Sequence, residues 1–267
     1  MADFTDAQLE RYARHIVLQE VGGEGQRKLI DARVLVVGAG GLGSPTLLYL
    51  AAAGIGCLGI VDDDTVDLSN LQRQVLHTTS RIGVAKVESA VQSIAAINPE
   101  IKVIPHRERL NASNVERLIA DYDVVADGSD NFATRFLVND ACFFAKKTLI
   151  SGALLRFEGQ LSTFKPHEHR GGASYPCYRC IFPAPPPRGL IPSCAEGGVL
   201  GSVAGTIGAM QATEVIKEVI GIGESLAGSL LIMDALTATF RKVRVKPDPG
   251  CPLCGSQPSI HNLSIHG

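Results

Sequence analysis

The stretch Val36-Val37-Gly38-Ala39-Gly40-Gly41-Leu42-Gly43 ends a β-branched run and leads into a helix-forming one. Glycines at such a turn let the backbone come close to a phosphate, and the N–H groups and dipole of the following helix favour its negative charge. About twenty residues later comes Asp62-Asp63-Asp64, where an acidic side chain ending a second strand can take the ribose hydroxyls of NAD or of ATP equally well. The glycine turn alone therefore fits a nicotinamide or flavin site as well as an ATP site. What separates the two is Ser69-Asn70-Leu71-Gln72-Arg73-Gln74, a basic, amide-rich run that suits phosphate oxygens and that hydride transfer has no evident need for.

Four of the seven cysteines form two pairs, Cys177-x-x-Cys180 and Cys251-x-x-Cys254, the ligand set of a closed tetrahedral zinc site. The interval between the pairs is far longer than in a zinc ribbon, so the metal would clip a proline-rich segment to a C-terminal one. Redox-active dithiols are the alternative, but those follow a strand at a helix start. Here one pair precedes a proline run and the other sits between Gly250 and Gly255. Cys57, in a predicted strand, and Cys142, in a predicted helix, read as core residues.

The elements that must position these groups alternate along the chain. Strands are expected at 33–37, 57–61, 101–105, 123–126 and 148–151, and helices at 43–53, 84–97, 113–120 and 131–145. That alternation predicts an α/β fold of Rossmann-like, doubly wound type, with a mainly parallel sheet and ligands beyond the carboxyl ends of the strands. Thr5 and Gln8 form a capping-box signal for a first helix over 5–20, docking through Leu9, Tyr12 and Ile16, with Arg11 and His15 on a solvated basic face. Gly22-Gly23-Glu24-Gly25 reads as a break. After a strand at 158–164, residues 165–198 form a long crossover carrying seven prolines; a helix at 202–220 and strands at 228–233 and 238–245 return to the body as an antiparallel extension of the sheet.

The 267 residues, 45% hydrophobic and 19% charged, predict one domain over 1–267 with a nucleotide-binding core at 31–152 and no separable second unit. A net charge of −2 gives no pull toward nucleic acid. The longest apolar-leaning run, 197–210, is glycine-rich and shorter than the about 20 residues that span a bilayer. The N-terminus lacks the basic and apolar regions of a secretory signal. A cytoplasmic protein that engages neither membrane nor nucleic acid is expected.

In order and spacing, the motifs resemble the MoeB/ThiF group of adenylyltransferases, relatives of the ubiquitin-activating enzymes. The likeness runs from Arg11-Tyr12-x-Arg14-His15 through the glycine turn, Asp62-x-Asp64-x-Val66-x-x-Ser69-Asn70-Leu71-Gln72-Arg73-Gln74 and Gly83-x-x-Lys86. It continues in Asp127-Gly128-Ser129-Asp130-Asn131 and the two cysteine pairs. The resemblance implies that the C-terminal Gly-Gly carboxylate of a ubiquitin-like sulfur-carrier protein attacks the α-phosphorus of ATP, giving an acyl-adenylate and pyrophosphate. It implies that Gly38, Gly40, Gly41, Asp62 and Asp64 bind the nucleotide, with Gly41 in the phosphate-facing turn and Asp62 at the ribose, and that Ser69, Asn70, Leu71, Gln72 and Arg73 reach the triphosphate. Lys86 would add a point charge, and Asp130, with Asn131 beside it, would hold Mg2+. An N-cap for the next helix is the alternative role for Asp130. Arg14 would reach the nucleotide of a neighbouring subunit, which implies a homodimer.

Relatives carry a cysteine at the position of Cys194 that can take the activated acyl group, which makes Cys194 a candidate nucleophile. No sequence feature supplies the lowered pKa a thiol needs for attack. Within the group, Ser151-Gly152-Ala153, Glu158-Gly159-Gln160 and Cys194-Ala195-Glu196-Gly197-Gly198-Val199 resemble the molybdenum-cofactor branch, with its MoaD-type carrier, more than the thiamine branch with its ThiS-type carrier. The absence of a rhodanese domain after the second cysteine pair leads to the expectation of a separate sulfur donor, a cysteine desulfurase or rhodanese. An NAD-dependent oxidoreductase and a non-catalytic carrier-docking protein are the readings of other class.

Overall fold

The computed structural model describes residues 4–170, 173–187 and 197–267. Its centre is an eight-stranded sheet whose strands run, from one edge to the other, 239–244, 229–234, 158–164, 148–155, 124–127, 33–37, 57–61 and 102–106. The parallel half is β1 (Arg33–Val37), β2 (Cys57–Val61), β3 (Lys102–His106), β4 (Val124–Asp127) and β5 (Thr148–Leu155). The antiparallel half adds β6 (Glu158–Phe164), β9 (Ser229–Asp234) and β10 (Thr239–Arg244). β1 and β2 are apolar almost throughout because helices cover both of their faces. Pro105 is accommodated because β3 is an edge strand, where a missing N–H costs no ladder bond.

One face of the sheet packs against α3 (Gly43–Ala53), α4 (Lys86–Ile97) and α7 (Gly201–Ile220) through Leu47, Leu50, Ala90, Ile94 and Val215. The other packs against α5 (Val115–Ala120) and α6 (Phe132–Phe144) through Leu118, Phe136 and Leu137. Strand order reverses between β1 and β4, whose carboxyl ends lead into Gly38 and Gly128. That reversal opens the crevice where doubly wound sheets bind ligands. The doubly wound, mainly parallel fold with an antiparallel C-terminal extension is as the sequence predicts, and Cys57 and Cys142 are core residues. No helix among the described residues is long and apolar enough to cross a membrane.

Several expectations need correction. Residues 22–25 are not a break but the first turn of α2 (Gly22–Asp31). Their glycines hide the helical signal, yet Gly25 is there for packing: a Cβ would lie 3.1 Å from the Ile220 side chain of α7. α1 (Asp6–Ile16) starts with the Thr5–Gln8 capping box as expected, but it does not dock through Leu9, which stays exposed. Tyr12 makes the contact, its ring filling the space a Cβ on Gly54 would need and its hydroxyl accepting from Asn98 Nδ2 at 2.8 Å. Arg11 and His15 are not a merely solvated face either. Arg11 donates to the Ile97 carbonyl at 2.9 Å, and His15 Nδ1 lies 3.0 Å from Gln26 Oε1, so both tether the helix.

α4 begins at Lys86 rather than Val84, because Ala85 is extended and bridges to Thr65. β5 runs on to Leu155 because its second half pairs with β6 as a hairpin. The crossover is not wholly irregular: it carries the short pair β7 (His169–Arg170) and β8 (Ala173–Ser174) and a 3-10 turn at Tyr178–Cys180.

Candidate functional site

A pocket of about 300 Å3 lies over the carboxyl ends of β1, β2 and β4. The glycine turn forms its floor. Gly38 has φ +88°, and a Cβ on Gly43 would fall 1.8 Å from the Gly38 carbonyl oxygen, so the turn closes this tightly only with glycine at both positions. Among the described residues, none accepts a hydrogen bond from the N–H of Gly40, Gly41 or Leu42. These donors at the start of α3 suit an anion.

Asp62 stands at the end of β2 with its carboxylate fixed by two backbone donors, Ala39 N–H at 2.8 Å and Asp64 N–H at 2.9 Å. Burial pushes its pKa up, and the Lys86 charge and those two donors oppose the shift. Lys86, the first residue of α4, is buried, and its Nζ pairs with Asp64 Oδ2 at 2.7 Å while the Asp64 side chain is 68% exposed. The cation is held at the pocket by one wet carboxylate. Asp67 caps the 3-10 turn Leu68–Asn70 by accepting from Ser69 N–H at 2.8 Å. Arg73 follows, its Nη1 donating to the Ser69 carbonyl at 3.1 Å and its stem lying beside Gly41.

On the β4 side, Asn131 caps α6 by accepting from Thr134 N–H at 2.9 Å. The alternative of Asp130 as the cap is thereby excluded. Asp130 is exposed at the pocket, and among the described residues no cation pairs with it. Asp62, Asp63 and Asp64 also bring carboxylate oxygens within 4.8 Å of one another.

The structure thus brings Gly38, Gly40, Gly41, Asp62, Asp64, Arg73, Lys86, Asp130 and Asn131 to one pocket. Ser69, Asn70, Leu71 and Gln72 do not line it; they form the turn that carries Arg73. Arg14 is exposed on α1 and does not line it either. Cys194 lies outside the described residues.

Gln74, quoted in the 69–74 run without a role of its own, lines the pocket, and sequence reasoning missed Glu108, Arg109 and Arg135. The loop after β3 was findable, since it leaves the same sheet edge. Arg135 gave no signal as one basic residue in an amphipathic helix. It is 8% exposed, donates from Nη2 to the Ser129 carbonyl at 2.9 Å, and keeps a buried Nε–H with no partner among the described residues. Such an orphan donor is costly unless something completes it.

A second pocket of about 280 Å3 adjoins the first and shares Asp130, Arg135 and Leu154 with it. Its walls are largely aromatic and apolar, with Phe132, Phe164, Tyr178 and Phe182. The two pockets make a polar chamber and an apolar groove that meet at Arg135.

The four paired cysteines converge under the crossover. Sγ–Sγ distances are 4.0 Å for Cys177–Cys180, 3.6 Å for Cys177–Cys251, 3.4 Å for Cys180–Cys254 and 3.3 Å for Cys177–Cys254. A tetrahedral ion with ligands at about 2.3 Å needs sulfurs about 3.8 Å apart, so the cluster could hold zinc. Between Cys177 and Cys180, the Arg179 guanidinium forks onto Asp140 of α6 with both contacts at 2.7 Å. The cluster is thus braced against the helix that opens at the pocket.

The sequence profile of the ThiF family matches residues 12–253. A sulfur carrier protein adenylyltransferase of Thermus thermophilus is 48% identical over 260 residues, covering 97% of this chain and 96% of that protein. The SAMP-activating enzyme E1 of Haloferax volcanii is 50% identical over 248 residues, 93% of this chain and 89% of that one. The adenylyltransferase and sulfurtransferase MOCS3 of Sus scrofa is 48% identical over 263 residues, which are 98% of this chain but only 56% of that longer protein. Among solved structures, Escherichia coli MccB with MccA-N7isoASN superposes with a TM-score of 0.81 at 22% identity, covering 92% of this chain and 75% of that one. At that identity the likeness is one of fold.

Proposed function

This chain belongs to the ThiF family, and from that premise we propose that it adenylylates the C-terminal Gly-Gly carboxylate of a ubiquitin-like sulfur carrier, using ATP. The observation that carries the reading is the meeting of a polar chamber and an apolar groove at Arg135 and Asp130. A nucleotide in the chamber and a peptide tail in the groove would place the carboxylate against the α-phosphate. The carboxylate oxygen bonds to the α-phosphorus, the bond to the β-phosphate oxygen breaks, and pyrophosphate leaves. Little covalent chemistry falls to the protein, so catalysis rests on positioning and on positive charge where negative charge develops.

In this reading Gly40 and Gly41 cradle phosphate, Asp62 takes the ribose, and Arg73 and Lys86 face the triphosphate. Asp130 and Asn131 complete the site on the β4 side. Asp130 would hold Mg2+, which when bound supplies charge neutralisation to the phosphates. The unpartnered Nε–H of Arg135 is a donor for the incoming carboxylate or the α-phosphate. Arg14, exposed and away from its own pocket, fits a homodimer in which it serves the other subunit. The carrier we favour is the MoaD type of the molybdenum-cofactor pathway, with a separate sulfur donor, and Cys194 remains a candidate acyl acceptor.

Pyrophosphate exchange with labelled pyrophosphate, ATP and purified carriers tests the reading. Exchange that depends on a MoaD-type carrier supports it, exchange with a ThiS-type carrier alone moves the chain to the thiamine pathway, and no exchange with any Gly-Gly carrier overturns it. Lys86→Met is expected to slow exchange at least about tenfold by removing a charge from the phosphates. Asp64, being mostly exposed, loses only a surface-type ion pair worth under about 1 kcal/mol, so the thermal midpoint should move by less than about 4 °C. A large drop in that midpoint would instead make Lys86 structural.

We also propose that the cysteine cluster holds one structural Zn2+, clipping the crossover to the C-terminal segment. Metal analysis is expected to give about one zinc per chain, lost in Cys254→Ser together with a lower thermal midpoint. A metal-free chain of unchanged stability would remove the clip.

A further inference from the structure

Behind the phosphate-facing turn sits a buried group that the pocket lining does not include. His77 is 6% exposed, with Nε2 2.9 Å from the Ala39 carbonyl oxygen and Nδ1 2.8 Å from Ser89 Oγ. A carbonyl only accepts, so Nε2 carries the proton, and in the neutral ring Nδ1 accepts from the Ser89 hydroxyl. Burial pushes the histidine pKa down, which favours that neutral form. Ser89 is held in turn, since Arg81 Nη1 donates to its carbonyl at 2.9 Å and to Ser93 Oγ at 2.5 Å, tying the 76–81 segment to α4.

The Ala39 carbonyl shares a planar trans peptide with the Gly40 N–H, and the two point in opposite directions. Gripping the oxygen from behind therefore aims the N–H away from His77. That N–H has no acceptor among the described residues, and Gly40 lines the pocket. A peptide that ends in glycine can flip at little steric cost, because glycine tolerates either sign of φ. The preceding peptide is fixed separately, by Ala39 N–H donating to Asp62 Oδ2 at 2.8 Å. Without His77 only one of the two peptides is secured.

We propose that His77 is a positioning residue for nucleotide binding: its hold on the Ala39 carbonyl keeps the Gly40 N–H directed at a nucleotide phosphate. The proposal rests on the reading of this pocket as an ATP site. Two substitutions separate the two ends of the ring. A glutamine amide reaches where Nε2 lies and can still donate to Ala39, whereas an asparagine amide reaches only the position of Nδ1.

The test measures ATP Kd, ATP and carrier KM, kcat and thermal midpoint for the full chain and for His77→Gln, His77→Asn and Ser89→Ala. His77→Asn is expected to raise the ATP Kd and KM roughly tenfold, the scale of one lost oriented hydrogen bond, with the carrier KM unchanged. His77→Gln is expected to stay within about threefold of the unsubstituted chain, even though both variants lose stability. Should His77→Asn fail to fold, Ser89→Ala carries the test, freeing the ring to turn and raising the ATP Kd severalfold. Unchanged ATP affinity in His77→Asn or Ser89→Ala, or equal weakening by glutamine and asparagine, overturns the proposal and leaves His77 a packing residue. An unsubstituted chain that binds no ATP overturns the underlying reading itself.

Discussion

Carrier-dependent pyrophosphate exchange is expected to fall by at least about a hundredfold in Arg73→Ala and in Asp130→Ala, each measured separately. Arg73 is the planar cation at the mouth of the glycine turn, its stem beside Gly41 and its head held by the Ser69 carbonyl. A guanidinium fixed in that way adds charge to phosphoryl oxygens without having to reorganise as the reaction proceeds. Asp130 is the exposed carboxylate between the two pockets, and as a metal ligand its loss would strip charge from the phosphates at the bond being made. Neither side chain is buried in the core, so the substitutions should leave the thermal midpoint within about 4 °C. Retention of exchange within about threefold in both variants would mean that the phosphates bind elsewhere.

The largest effect on stability is expected at the Asp140–Arg179 pair. Asp140 is fully buried; its carboxylate takes both guanidinium contacts, the Asn139 amide at 2.9 Å and the His266 Nε2 at 2.8 Å. Removing one member of a buried pair leaves an uncompensated charge, so Arg179→Met should cost about 3–5 kcal/mol, or a thermal midpoint lower by roughly 10 °C. Replacing both, as Asp140→Leu with Arg179→Met, should recover most of that loss, since two apolar side chains leave no charge unpaired.

The pair also has a pH signature. Burial pushes the Asp140 pKa up, but the hydrogen bonds from His266 and Arg179 outweigh it and hold the group below the ordinary carboxylate range. The pair's contribution is therefore complete above about pH 4 and is lost as pH falls through the depressed folded value. Arg179→Met should thus lose less of its stability than the unsubstituted chain on acidification from pH 5. Equal acid sensitivity in the two chains would remove the pair from the account of stability.

Much of this was legible in the sequence because the informative residues are local in the chain. The glycine turn, the acidic end of β2 and the segment 127–131 each follow a strand directly, and strand ends on one sheet edge become neighbours through topology alone. The cysteine pairs were legible because two closely spaced thiols form half of a tetrahedral site wherever the partner pair lies. What stayed hidden depends on contacts distant in sequence. α2 was masked by its glycines, one of which, Gly25, is there for the approach of Ile220, almost two hundred residues away. Arg135 looked like any helical arginine, and its significance comes from an orphaned Nε–H at the junction of two pockets. Residues 69–72 were expected around the triphosphate; in the structure they form the turn that carries Arg73 into the pocket, an arrangement that spacing alone does not reveal. Leu9 failed because a single aromatic ring over Gly54, rather than an apolar stripe, docks the first helix.

In the proposed function Arg73, Lys86 and Asp130 act together on one triphosphate. A crystal structure with a non-hydrolysable ATP analogue and Mg2+ tests it most directly. The expected density shows the phosphates over Gly40 and Gly41, the Arg73 guanidinium and Lys86 Nζ within about 4 Å of phosphate oxygens, and Asp130 on the metal. Phosphates bound away from the glycine turn, with these three side chains pointing elsewhere, would contradict it.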